Sequence, residues 1–249
     1  MMARALVRRY FNRLYERTMR EAYACAFRAA AGSLQAGGQC LDCGANEGQH
    51  FARLNAMAGL TSEAYFGVEW HAASVAIAQG KGLQVIQGDL NTPLPFESNR
   101  FQCVMGLSVL EHLLSGCRWM RECQRVLVPG GRLVMLTPNI STWFTIALLA
   151  VGRMPSSGPH PDSGLLLKRE TLLQVSQIDD PDVESDTPVH RHLVVFSYRT
   201  LRRYLRLIGL RDVQGRAFGV YPFPNTVQPW LEKVDPYHAH QMVFVATKS

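Results

Sequence analysis

Residues 38–48 read GQCLDCGANEG, and the reading of this stretch decides the fold. A short apolar run leads to Asp42; Gly44 follows, then Gly48, and HFARLNAMAGL beyond it reads as a helix over 48–58 with Gly59 as its stop. Strand, glycine turn and helix make the corner of an α/β nucleotide-binding fold, because glycine lets the backbone turn sharply and approach a ligand closely. The spacing excludes two of the usual ligands. A dinucleotide fingerprint counted from Gly44 needs glycines where Asn46 and Gln49 stand. A phosphate loop needs Gly-Lys-Ser/Thr at the turn, and no lysine is there. What remains is D-x-G-x-x-x-G.

Outward from this loop the chain alternates strand and helix. AYFGVEW (64–70) is a second strand ending in Glu69, an acid about 20 residues past the glycines, where α/β nucleotide sites place a carboxylate on the ribose hydroxyls. Trp70 follows, suited either to lie on an adenine face or to flank a helix at the surface. HAASVAIAQGKG (71–82) is a second helix and LQVIQGDL (83–90) a third strand ending in Asp89. A turn-rich loop with two prolines, 91–101, leads to QCVMGLSVLEHL (102–113), a fourth strand running into a helix. RVLVPGGRLVMLTPN (125–139) then gives a helix, a Pro-Gly-Gly turn and a fifth strand.

These four stretches, in this order over residues 38–139, resemble the motifs of class I S-adenosylmethionine (SAM)-dependent methyltransferases, in the small-molecule branch of the type 11 and type 23 kind. The resemblance implies a Rossmann-like seven-stranded mixed sheet, last strand antiparallel, flanked by helices. It implies SAM as cofactor, held by Asp42, Gly44, Ala45, Asn46 and Gly48 of the loop. Glu69 and Trp70 would serve ribose and adenine, Asp89 and the Leu90 amide the adenine edge, and Ser108 the end of the fourth strand. A carboxylate accepts from hydroxyls and from an exocyclic amine, so the residue types agree with those roles. Enzymes that methylate the amino groups of planar bases carry D/N/S-P-P-Y/F after the fourth strand. This chain has Leu107-Ser108-Val109-Leu110, which argues against such substrates.

Charge points the same way. The net charge is +6, and residues 1–28 alone hold seven arginines against Glu16 and Glu21, so the remainder carries only +1. A nucleic-acid enzyme places its basic surface beside its cleft; no nucleic-acid partner is expected here. Val7, Tyr10, Phe11, Leu14 and Tyr15 recur at helical spacing with arginines elsewhere on the wheel. The expectation is a helix packed over the domain with a solvated arginine face; peripheral contact with an anionic membrane through residues 1–28 is the sharper alternative. Those first residues have no apolar core of a secretory signal, and the six cysteines show no secreted framework. They read as small core residues of a reducing, cytoplasmic protein, Cys40 and Cys43 on the first strand included.

Beyond residue 140 the signal is sparser. ISTWFTIALLAVGRM (140–154) is an apolar segment long enough for a buried or interfacial helix, too short for a span. Residues 141–192 read as a cap over the substrate region of one domain spanning 1–249. An N-terminal helical segment (1–36) and the SAM-binding core (37–140) precede the cap, and a C-terminal helix and closing strand pair (193–249) follow it. VHRHLVVFS (189–197) resembles the H-x-R-x-F-T signature of that small-molecule branch: His192, Phe196 and Ser197 match, and Val194 replaces the arginine. Ser197 suits an N-cap for YRTLRRYLRLIGL.

The sulfonium methyl is already an activated electrophile, so the protein must align a nucleophile with it and, for a hydroxyl, remove a proton. His192 and His112 are the candidate bases. The expected function is methyl transfer to a small-molecule acceptor, a hydroxyl of specialised or cell-envelope metabolism. The alternative is a SAM-binding protein acting in RNA modification or as an interaction partner. No metal is expected, because no grouping of cysteines or carboxylates completes a ligand set with the pairs His190-x-His192 and His238-x-His240.

Overall fold

The computed structural model describes residues 2–34, 37–155, 157–159 and 192–249. Most of the segment read as a cap, His190 included, lies outside the described residues. At the centre is β1 (Cys40–Cys43), buried along its whole length. It pairs in parallel with β2 (Tyr65–Glu69) on one side and β4 (Phe101–Leu107) on the other. Both faces of such a strand are covered, which is why CLDC shows no polar alternation. The sheet has seven strands in the order β3-β2-β1-β4-β5-β7-β6. Here β3 is Gln84–Gln87, β5 Leu127–Pro138, β6 Leu210–Phe218 and β7 Gln241–Lys248. The last strand, β7, slots antiparallel between β5 and β6, as expected. Chain order reverses between β1 and β4, and in an open α/β sheet the crevice outside the strand ends at that reversal receives ligands.

Helices cover both faces. On one side α1 (Met2–Ala31), α2 (Phe51–Ala58) and α3 (Ala72–Gly80) pack onto the sheet. Ala22, Ala26 and Ala30 let the long α1 come close to the strands, and Phe27 fills the space beside them. On the other side lie α4 (Gly116–Val126) and α6 (Tyr198–Leu207), around a fully buried Trp119. A Cβ on Gly106 would meet the Trp119 ring, so β4 needs glycine where that indole crosses it. The shorter α5 (Trp143–Ala150) follows β5, and α7 (Gln228–Val234) lies between β6 and β7.

Several boundaries differ from the sequence reading, for local reasons. The first helix begins at Phe51, because the left-handed backbone at Gly48 (φ +74°) still belongs to the turn. Gly59 does stop it, at φ +65° with its amide on the Asn55 carbonyl. The fourth strand does not run straight into a helix: Ser108 is left-handed (φ +57°), and a 3₁₀ turn, Leu110–His112, comes before α4. Pro-Gly-Gly is not a turn ahead of the fifth strand but an interruption inside it, between the pairs Phe101–Leu127 and Cys103–Arg132. The arginine face of α1 is not wholly solvated. Arg17 is buried, and its guanidinium donates to Glu21, Gln228 and Glu232. Conversely Val7 and Tyr10 of the apolar stripe are exposed. Five cysteines are buried, Cys117 is half-buried, and all six are free.

Candidate active site

At the carboxyl ends of β1 and β2 the glycine loop is built almost entirely from backbone. Gly44 (φ +77°), Asn46 (φ +47°) and Gly48 (φ +74°) are all left-handed. The amides of Gly44 and Ala45 both donate to the Val68 carbonyl, at 2.8 and 3.2 Å. A Cβ on Gly44 would stand 2.6 Å from Val109 Cγ2, so the loop is pressed against the end of β4. Gly67 makes room from below: a Cβ there would lie 2.6 Å from that of Ala45. Glu69 closes the loop with its carboxylate. Oε2 accepts from the Asn46 amide and Oε1 from the His71 amide, each at 2.9 Å. Each oxygen keeps a second acceptor position for a ligand hydroxyl.

Asp42 sits beneath this loop and is wholly buried. Its Oδ2 accepts from the Tyr65 hydroxyl at 2.6 Å and pairs with His50 Nδ1 at 2.9 Å. Burial works against charge on His50, but the adjacent Asp42 outweighs it and raises the imidazole pKa. Asp42 Oδ1 has no hydrogen-bond partner among the described residues, an orphaned acceptor under the loop. Asp42 is therefore a buried support of the loop, not a surface contact.

Trp70 and Asp89 line one cleft of about 450 Å³ with His71, Ala72, Ala73, Gln87 and Gly88. No glycine-loop residue lines it, so it lies to the β2–β3 side of the loop. Trp70 is 57% exposed, compatible with a stacking face that only a ligand would cover. Asp89 Oδ1 accepts from the amide and side chain of Asn91, which ties down the turn after β3. Leu90 is a core residue.

On the other side of the loop a second group forms. His112 and His192 meet edge to face, ring centroids 5.3 Å apart, although they are far apart in sequence. Glu111 lies with them: one ligand-type atom from each of the three lies within 4.8 Å of the others. Glu111 is buried, which pushes its carboxyl up to about 7 despite the hydrogen bond from Thr137. That bond runs from Thr137 Oγ1 to Oε2 at 2.9 Å. The backbone is clamped as well, since the Leu193 amide donates to the Glu111 carbonyl at 2.7 Å. His192 Nδ1 lies 3.1 Å from the Ser157 carbonyl, which can only accept, so Nδ1 carries a proton. Ser108 stands at the end of β4 beside Tyr23, a tyrosine of α1. Burial raises the Tyr23 hydroxyl pKa, with the charges of Glu111 and Asp42 adding to it. Tyr15, about two turns earlier on the same helix, also feels Glu111.

The sequence named His112 and His192, and the fold brings them together. It did not name Glu111, Thr137, Ser157 or Tyr23, and it read Tyr15 only as part of the apolar stripe of the first helix. Glu111 is adjacent to His112 in LEHL, so its proximity was available, but its burial was not. The pair His238-x-His240 does not form one site. His238 bonds Asp235 and stacks on Trp143, whereas His240 is buried beside Tyr221 and Ser157.

A family model described as a methyltransferase domain matches residues 15–214. No curated protein sequence matches the chain. Among solved structures, a SAM-dependent methyltransferase from Mesorhizobium loti is 16% identical with a TM-score of 0.57, covering 91% of this chain and 98% of that one. A possible histamine N-methyltransferase from Thermotoga maritima is 16% identical with a TM-score of 0.54, over 97% and 99% of the two chains. A Haloferax volcanii putative methyltransferase, solved with the Trm112 methyltransferase activator, is 14% identical with a TM-score of 0.56, over 98% and 94%. At these identities the structures testify to the fold.

The residues present suit SAM. Glu69 offers paired acceptors to a vicinal diol, and Asp89 is an acceptor for an exocyclic amine. The loop carries no phosphate-binding lysine, and SAM has no phosphate. From residues 15 to 214 and by the architecture of its sheet, the chain belongs to the SAM-dependent methyltransferase family.

Proposed function

We propose that the chain transfers the methyl group of SAM to a hydroxyl of a small-molecule acceptor in the cytoplasm. Bound SAM supplies an electrophilic methyl on sulfonium sulfur. Glu69 and Asp89 orient the donor, while Asp42, Tyr65 and His50 support the loop from beneath. The observation that carries the acceptor class is the Glu111–His112–His192 group. An amine attacks a sulfonium methyl through its own lone pair, whereas a hydroxyl must lose its proton as it attacks. Two imidazoles and a buried carboxylate are the equipment for activating an oxygen nucleophile. Outside the first 28 residues the net charge is only +1, which supports a small acceptor over a nucleic acid.

The test begins with calorimetry: SAM and its demethylated product should bind, and NAD should not. Mass spectrometry of small molecules retained by the protein from its own host then supplies the acceptor. On that acceptor, His192→Ala should lower turnover about 100-fold or more and leave SAM affinity within about twofold. Unchanged turnover in a SAM-binding variant removes the histidine group from the mechanism. Turnover only on RNA, or binding of SAM without turnover until an activator protein is added, favours the alternative of RNA modification or partnership.

A further inference from the structure

We propose that Glu111, His112 and His192 form a three-ligand site for a divalent transition-metal cation, whose remaining positions take water or the oxygens of the acceptor. Four observations carry it. First, the donor set is two imidazoles and one carboxylate, which selects zinc, manganese, iron or cobalt over calcium or magnesium. Among the described residues it is the one grouping of three such ligands. Second, the ligand atoms lie within 4.8 Å of one another. Ligands about 2.0–2.2 Å from one ion stand roughly 3–3.5 Å apart, so small side-chain rotations close the set.

Third, two of the three ligands are oriented from behind, as metal ligands generally are. Thr137 Oγ1 donates to Glu111 Oε2 at 2.9 Å. The Ser157 carbonyl takes the Nδ1 proton of His192, which leaves Nε2 as the lone pair. Fourth, the two chain segments that bring the ligands together are stapled by backbone: Leu193 N to Glu111 O, 2.7 Å. That staple fixes the spacing independently of the side chains. The sequence argued against a metal because no grouping of cysteines or carboxylates completed a ligand set with the histidine pairs; the fold supplies Glu111.

This deepens the hydroxyl-acceptor reading above and rests on it for the ion's purpose. The cation lowers the pKa of an acceptor hydroxyl, which gives its proton to solvent. The oxygen lone pair then forms the new O–CH₃ bond as the S–CH₃ bond breaks, and that bond's electron pair stays on sulfur. The products are a methyl ether, a thioether and a proton. The acceptor class that fits carries a hydroxyl beside a second oxygen, so that both can occupy open positions.

The experiment uses the full chain, stripped by chelator and titrated with Zn²⁺ by calorimetry and with Co²⁺ by visible absorption. The expected result is one ion per chain. Glu111→Gln and His192→Ala should each weaken binding about tenfold or more, with His238→Ala unchanged. If Glu111→Gln fails to fold, Thr137→Val keeps the volume, removes the carboxylate's orienting bond, and should weaken binding by about tenfold. Absence of stoichiometric binding overturns the site. So does binding that survives Glu111→Gln, or Thr137→Val in its place, but not His192→Ala, since the ion would then belong to the His190–His192 pair. Methyl transfer at full rate by the stripped chain also overturns it, while leaving the hydroxyl-methyltransferase reading intact. Failure of SAM to bind the stripped, folded chain would instead strike at that reading.

Discussion

The two sides of the crevice are made differently. The cofactor side is assembled from backbone: left-handed turns at Gly44, Asn46 and Gly48, amides on Val68, and a carboxylate reaching back to two amides. Its parts lie between residues 42 and 89, on consecutive strand–loop units. The side proposed for the acceptor is assembled from side chains drawn from α1, the 3₁₀ turn after β4, β5, the residues around 157 and the approach to α6. Backbone geometry leaves a signature in sequence, because glycine and turn spacing are hard to substitute. Side-chain convergence leaves less: His112 and His192 could be named one by one, but their meeting with Glu111 could not. The loop proposed for the donor is therefore more legible in the sequence than the side-chain group proposed for the acceptor.

The strongest way to break the comparison is to remove α1, which serves both sides. It buries Leu14, Ala22, Ala26, Phe27 and Ala30 against the sheet and carries Tyr15 and Tyr23 to the acceptor side. Deleting residues 1–28 exposes that whole face. A single buried Phe→Ala costs about 3–5 kcal/mol, against a typical net stability of about 5–15 kcal/mol. The truncated chain should lose cooperative thermal unfolding in every buffer. A truncated chain that melts normally, binds SAM and has lost only salt-sensitive liposome binding would make residues 1–28 a membrane element instead.

That prediction also marks where the sequence stopped being legible. The first strand, the glycine turn and the strands that end at Glu69 and close before Asp89 follow from spacing and residue type within local units, and the seven-stranded sheet from the resemblance. The Ser197 cap was readable too, with its Oγ accepting from the Thr200 amide. The burial of Arg17 was not, because its partners Gln228 and Glu232 lie over two hundred residues away. Glu111 was missed for a related reason. A glutamate beside a histidine reads as the surface of a helix, and only the 3₁₀ turn directs it inward to Thr137.

Acid should separate the two sides. His240 is buried against Tyr221 with Nδ1 3.3 Å from Ser157 Oγ, and burial holds its pKa down at about 4. A histidine lowered in the folded state contributes stability that is present above its unfolded value of about 6.5 and is lost as pH falls toward 4. The shift corresponds to a loss on the order of 3 kcal/mol across that window. Denaturant titrations from pH 7 to pH 4 should show it, and His240→Gln should flatten the slope. Since Ser157 also holds His192, the acceptor KM should rise with acid before SAM affinity falls. Equal decline of both would erase the distinction between the sides.

On the cofactor side, Glu69→Ala should weaken SAM binding by about 1–3 kcal/mol, through loss of a charged acceptor and of the loop's tie at Asn46. Calorimetry reads it directly, and acceptor KM should stay unchanged. Gly67→Ala should act on the same loop from below, where the new Cβ meets Ala45 and Val85 Cγ2 at 2.6 and 2.9 Å. Overpacking of this kind costs about 1–3 kcal/mol of stability. A variant that melts as the parent does would mean the loop can shift without consequence.

The smallest effect is expected where the two sides touch. Tyr23 stands beside Ser108, in the field of Glu111 from one side and of Asp42 from the other. Tyr23→Phe removes one hydroxyl and keeps the ring, so the cost is that of a single hydrogen-bonding group, about 0.5–1.5 kcal/mol. Spread over two sites, this is a change of a fewfold in each of two constants. SAM dissociation and acceptor KM should both rise, and the melting temperature should fall by a few degrees at most. If only the acceptor KM moves, Tyr23 belongs to the side-chain-built half and the backbone-built half is closed against it. If only SAM affinity moves, α1 serves the donor through Ser108 and the acceptor side begins at Glu111. Either result places the boundary between the more and the less legible halves at a named residue.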